Sequence, residues 1–163
     1  MATPRESYHE DDIVISGISG AFPNSDNFEE FKENLLKGEN MFSTSDKYGE
    51  THINGVLKTI DRFDHTFFHI NRHDAEGVII GSRLLLEKTF EAVLDAGYNL
   101  QKIKGKNIAV VCGIWDASTE NDPAFEAVEE RFTGSVGTGQ YMCANRISSW
   151  LDLHGNKLHT YIY

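Results

Sequence analysis

Three histidines stand four residues apart: His65, His69 and His73. On one unbroken helix that spacing brings three imidazoles near a single face, a geometry that could hold zinc or copper. The intervening residues argue against such a helix. Thr66, Phe67, Phe68 and Ile70 are interleaved, and Asp61, Asp64, Asn71 and Gly77 favour turns. The three are read as surface or supporting histidines, and no metal is expected. Gly17-Ile18-Ser19-Gly20 offers a serine on a sharp turn. It is one residue short of the G-x-S-x-G nucleophile elbow and is read as a strand-ending turn. Gly134 to Gly139 (GSVGTG) precedes a helical pattern and could cradle an anion. It lacks the Lys-Ser/Thr ending of a P-loop and the third glycine of a dinucleotide fingerprint, so it is read as a tight connection.

Two cysteines are the remaining nucleophile candidates. Cys112 lies inside an apolar run beside Val110 and Val111, where a thiol is inert and its pKa rises. Cys143 lies beside Met142 and Ala144 in a helical pattern, where packing is the default. Neither is expected to have the positive, helix N-terminal setting that a nucleophile needs. Glu87, Glu91 and Asp95 form a carboxylate stripe at helical spacing, read as a solvated face. No catalytic, cofactor-binding or metal-ligating residue is assigned, and no cofactor is expected.

The elements that would position these residues alternate between strand and helix. Residues 1–11 read as a solvated tail. Asp12–Ser19 (DIVISGIS) is a short β-branched run, the pattern of a buried strand. Asp26, with Glu29 as capping partner, opens a helix carrying Phe28, Phe31, Leu35 and Leu36, and Gly38 closes it. Residues 39–61 read as a long surface loop with a hairpin around Asn54-Gly55. Asp64–Ala75 is turn-like. Ser82–Ala96 is the strongest helix, stopped by Gly97. Asn107–Trp115 (NIAVVCGIW) reads as a strand covered on both faces. Asp122-Pro123 opens a short helix to Phe132. Gln140–Leu153 is amphipathic, with Tyr141, Ala144, Ile147 and Leu151 on one side and Gly155 as its stop. The final residues NKLHTYIY have no following segment to pair with. Alternating buried strands and helices give an α/β protein.

Composition bounds the function. The 163 residues suffice for one ordinary domain, and 40% apolar with 11% aromatic residues is a globular composition. A net charge of −10 disfavours nucleic acid and anionic membrane surfaces as partners. There is no apolar run long enough for a transmembrane helix and no signal-peptide pattern at the N-terminus. Two cysteines in apolar surroundings fit a reducing, cytoplasmic setting.

Five segments, in order, resemble the N-terminal part of a β-ketoacyl synthase of the type I multienzymes. These are the animal fatty acid synthases and the related polyketide synthases. Ile13–Phe42 resembles the opening strand, the G-x-S-G-x-F-P turn and the first helix. Arg62–Glu76 resembles the FD-x-x-FF turn, and Ser82–Asn99 the R-L-L-L-E-x-x-x-E-A-x-x-D-A-G helix. Asn107–Trp115 resembles the strand that follows, and Ala144–Gly155 the A-N-R-I-S-x-x-x-D-L-x-G segment. Together they cover residues 12–155, with a character closest to animal, including insect, fatty acid synthases. The resemblance implies a partial thiolase-like fold of α-β-α-β-α layers, N-terminal portion only.

The chain departs from the family in two places. After D-L-x-G the family continues with Pro-Ser and then a D-T-A-C-S-S turn, whose cysteine takes the acyl chain. Here residues 156–163 follow Gly155 and are expected to be a divergent tail. Neither Cys112 nor Cys143 matches that nucleophile, and none of the seven histidines matches the two that assist condensation. Val78-Ile79-Ile80-Gly81-Ser82 also replaces a helix-opening Asp-Pro. The expectation is a ketosynthase fragment of a fatty acid synthase, inactive alone. The alternative is a non-catalytic interaction or dimerisation partner of a full-length synthase. Expected partners are a second copy or that synthase, with an acyl carrier in the parent family. Strands deprived of their neighbours would leave apolar surface exposed.

Overall fold

The structure is a computed structural model, and it describes residues 11–45, 52–114 and 142–161. In chain order the elements are α1 (Phe28–Lys37), β1 (Ser43–Ser45), β2 (His52–Asn54), α2 (Arg72–Gly77), α3 (Ile80–Asp95), α4 (Leu100–Ile103), β3 (Val110–Ile114), α5 (Cys143–Trp150) and β4 (Lys157–Tyr161). The expected helix from Asp122 and the glycine loop Gly134 to Gly139 lie outside the described residues.

The core forms where α3, α5 and the β3–β4 pair meet. α5 packs on both strands and α3 packs on α5. The helical spacing of α5 puts Ala144 and Ile147 on this inner side, continued by Leu151, and all three are buried. Leu86 of α3 is only 1% exposed and meets them. Aromatic rings close one end: Phe68 lies 4.7 Å from Trp150, and Phe67 lies 4.9 Å from Phe90, centroid to centroid.

Helix α1 starts one residue later than the spacing suggested. Asn27, not Asp26, is the N-cap: its side chain accepts from the Glu30 backbone N–H at 2.9 Å. Glu30 reaches back to the Asp26 N–H at 2.8 Å, completing a reciprocal capping arrangement. Gly38 ends the helix at φ +69°, a left-handed conformation that glycine adopts without a Cβ penalty. Helix α3 matches its expected span within two residues. Its N-cap Ile79 makes no side-chain capping bond, which is the local cost of the Val78–Ser82 departure. Val78 compensates by being buried, whereas Ile80 is 40% exposed.

Several expectations are corrected. Asp12–Ser19 is not a buried strand. It makes no ladder among the described residues, and Ile13 and Ile15 are fully or mostly exposed, because none of the described strands lies alongside to pair with it. An antiparallel β1–β2 ladder exists, but it sets Asn54 opposite Ser43, so Asn54-Gly55 is not its turn. Strand β3 is covered on one face only: Val110 and Cys112 are buried while Val111 is 63% exposed. Helix α5 ends at Trp150, so Gly155 is not its stop. Gly155 instead passes against the Ile108 backbone, where a Cβ would lie 2.3 Å from the Ile108 carbonyl. That close passage leads directly into β4. The tail is therefore a strand: β4 pairs in parallel with β3, Val110 opposite Lys157 through Ile114 opposite Tyr161.

Candidate functional site

The fold separates the three histidines. His65 lies in a turn, and its Nδ1 meets the Ile70 carbonyl at 2.9 Å. His69 has φ +56°, which no helix permits. Only His73 is helical, exposed on α2 beside Asp74. Among the described residues no group of three His, Cys, Asp or Glu side chains could hold a metal ion.

The G-x-S-G turn and the carboxylate stripe, read separately from the sequence, are brought together. The Ser19 hydroxyl donates to Glu91 Oε2 at 2.5 Å, and the Ile18 N–H donates to Asp95 Oδ2 at 2.9 Å. Lys88 Nζ reaches both Glu91 oxygens at 2.9 Å. Glu91 and Asp95 are exposed, as expected of a solvated face, and they also anchor the opening segment to α3. The spacing of α3 put them on one face, but their targets lie 72 and 77 residues away, which no local pattern reveals. Glu87, on the same helix, has its carboxyl pKa raised by burial, with the Lys88 charge opposing. Gly17 packs against the Ala92 and Ala96 backbone of α3, with no room for a side chain. Ser19 therefore serves as a tether.

Both thiols are buried in the core. Burial is the main cause that pushes the Cys112 thiol pKa up, and neighbouring Cys143 adds to it. Cys143 is the first residue of α5, so the expectation that neither cysteine starts a helix is corrected. The described helix runs Cys143–Trp150, which places Cys143 at its start. Its Sγ lies 2.9 Å from Ser82 Oγ across the α3–α5 contact. These two residues line a cavity of about 470 Å³ together with Gly20, Ile79, Leu85 and Lys88. A hydroxyl is a hydrogen-bond partner for the thiol, not a base able to activate it.

A second cavity, about 430 Å³, lies between the Phe68–Ile70 turn and α5, lined by Phe68, Leu86, Met142, Arg146 and Trp150. Sequence reading missed Arg146. Its Nε and that of Arg83 are buried without a hydrogen-bond partner among the described residues. Burial is the main influence on the Arg146 guanidinium and lowers its pKa, while Cys143 and Asp74 raise it. Its place inside the A-N-R-I-S segment was the available signal.

The family model described as β-ketoacyl synthase, N-terminal domain, matches residues 10–160. The fatty acid synthase of the goose Anser anser anser is 37% identical over 91% of this chain and 44% of its own length. A polyketide synthase of Dictyostelium discoideum is 31% identical over 94% of this chain and 7% of its own. The chain thus spans less than half the length of these relatives. Among solved structures, the ketosynthase from module 6 of the Bacillus subtilis bacillaene synthase superposes with a TM-score of 0.74 at 26% identity. That match covers 90% of this chain and 26% of the ketosynthase. The resemblance in the five segments and the partial thiolase-like α/β fold are both borne out. With its family match running nearly end to end and its fold shared with solved ketosynthases, the chain belongs to the β-ketoacyl synthase family, in that family's N-terminal domain.

Proposed function

We propose that the chain is the N-terminal portion of the condensing domain of a fatty acid synthase, supplying framework but none of the reacting groups. The observation that carries this is the state of its two thiols: both are packed in the core, and the Sγ of Cys143 lies 2.9 Å from a serine hydroxyl. The greater identity to the goose fatty acid synthase than to the Dictyostelium polyketide synthase supports the fatty-acid assignment. In the condensation we assign to the parent domain, a thiolate outside these 163 residues takes the acyl chain. The malonyl carrier loses carbon dioxide, and its carbanion attacks that thioester, regenerating the thiolate. The present residues hold the sheet and helices on which those groups would be mounted.

The test is direct. Purified chain incubated with acyl-loaded and malonyl-loaded carrier protein yields no condensation product, and mass spectrometry finds neither Cys112 nor Cys143 acylated. A thioester on either sulfur that turns over with added malonyl donor overturns the proposal. A second reading, a non-catalytic partner of a full-length synthase, is favoured by the exposed apolar strand face. The two readings share the prediction of inactivity and differ in whether the chain binds such a synthase in trans.

A further inference from the structure

The cavity between the Phe68–Ile70 turn and α5 joins two kinds of lining. Phe68, Ile70, Leu86 and Trp150 are apolar, whereas Arg146 brings a guanidinium and His69 an imidazole. A concave, largely apolar space with a few polar groups is the general form of a small-molecule site. Its volume of about 430 Å³ lies within the ~300–1,000 Å³ that such sites occupy. The Arg146 Nε is buried and has no hydrogen-bond partner among the described residues. A buried donor on a charged group is costly unless something accepts from it. Asp74 acts on Arg146 through its charge, but its carboxylate accepts from Asn71 Nδ2 and lies 3.6 Å from His73 Nδ1. His69 reaches the cavity from a left-handed backbone, φ +56°, a conformation uncommon outside glycine and concentrated at functional sites.

The chemistry of the lining selects the ligand. A guanidinium fork matches a carboxylate through two parallel hydrogen bonds. The net charge of −10 and the nearby Asp74 favour a ligand with one negative charge over one with two. Phe68 and Trp150 meet at 52° with their centroids 4.7 Å apart, so they leave no parallel slot for a flat ring between them. A flexible methylene chain can follow such a wall. We propose that this cavity binds a straight-chain aliphatic monocarboxylate, with its carboxylate on Arg146 and its chain against Phe68, Leu86 and Trp150. The ligand is the free acid, because an ester or thioester offers Arg146 no charge. The site is built from its own residues and stands whether or not the fatty-acid assignment above does.

The test titrates octanoate, below its micelle concentration, into purified chain carrying Trp115→Phe, which leaves Trp150 as the sole tryptophan. Trp150 emission is expected to change saturably, with one octanoate bound per chain by calorimetry. Octanol and methyl octanoate keep the carbon chain and lose the charge, and are expected to bind at least about tenfold more weakly. Arg146→Gln is expected to lower octanoate affinity by about tenfold. Arg146→Lys lowers it less, since it keeps the charge and loses the fork. Ser149→Phe, at an exposed position lining the cavity, is expected to block binding while leaving Arg146 in place. Circular dichroism checks that each variant is folded. Should Arg146→Gln unfold the chain, Ser149→Phe and the uncharged ligands decide the matter. No saturable binding, or octanol bound as tightly as octanoate, overturns the proposal. So does a folded Arg146→Gln or Ser149→Phe chain that binds octanoate as the unsubstituted chain does. Tighter binding of octyl phosphate or of 3-phenylpropionate overturns the assigned ligand class.

Discussion

The Ser82–Cys143 contact fixes how α3 meets α5, because both residues are buried and each is the other's polar partner. Removing the hydroxyl takes from the buried Cys143 thiol the Ser82 hydrogen bond it makes across the α3–α5 contact. Ser82→Ala is expected to lower stability by about 1 kcal/mol, read from urea unfolding. Cys112 gives a pH signature. Its folded thiol pKa is raised above the ordinary 9.0, chiefly by burial. Above that pH the unfolded chain releases a proton that the folded chain keeps, so the unfolded state binds fewer protons and stability falls as pH rises. The urea midpoint is expected to drop from pH 8 to pH 10 more steeply in the native protein than in Cys112→Ala. Equal slopes would count against the burial of that thiol. At this scale the sequence disclosed less than at any other. Cys112 was legible as a buried thiol from its apolar neighbours. The setting of Cys143 depended on a helix boundary, and the bonds of Glu91 and Asp95 on contacts across the chain.

Helices were the most legible elements, because their apolar spacing is long enough to set a face. The buried residues of α3 and α5 lie where that spacing puts them, and Leu86→Ala is expected to cost about 3–5 kcal/mol in thermal or urea unfolding. Strands were legible as apolar runs but not as paired or unpaired, since pairing depends on what lies beside them. Asp12–Ser19 has the composition of a strand and no ladder among the described residues, while the tail expected to lack a partner has one. The close passage of Gly155 at Ile108 is what admits that tail to the sheet. Any side chain at Gly155 collides with backbone, so Gly155→Ala is expected to unzip β4 and abolish hydrogen-exchange protection at residues 110–114. A smaller loss of protection at α1 would show that the effect is local to the ladder.

For the whole molecule, the balance is between charge and uncovered apolar surface. The net charge of −10 keeps copies apart at neutral pH. That repulsion vanishes near the isoelectric point of about 5.1, where the bare sheet face and the exposed opening segment would meet without opposition. Light scattering is expected to show a solubility minimum there, relieved by Val111→Lys/Leu158→Lys. The pairing of β3 with β4 has a further consequence, in time. Val110 meets Lys157, 47 residues later in the chain (157 minus 110). At a synthesis rate of about 5–20 residues per second, a nascent β3 waits roughly 2–9 s before its partner is even made. During translation, then, this edge is sticky and unmated for seconds, long enough that a ribosome-bound chaperone, rather than β4, would be the first thing to shield it.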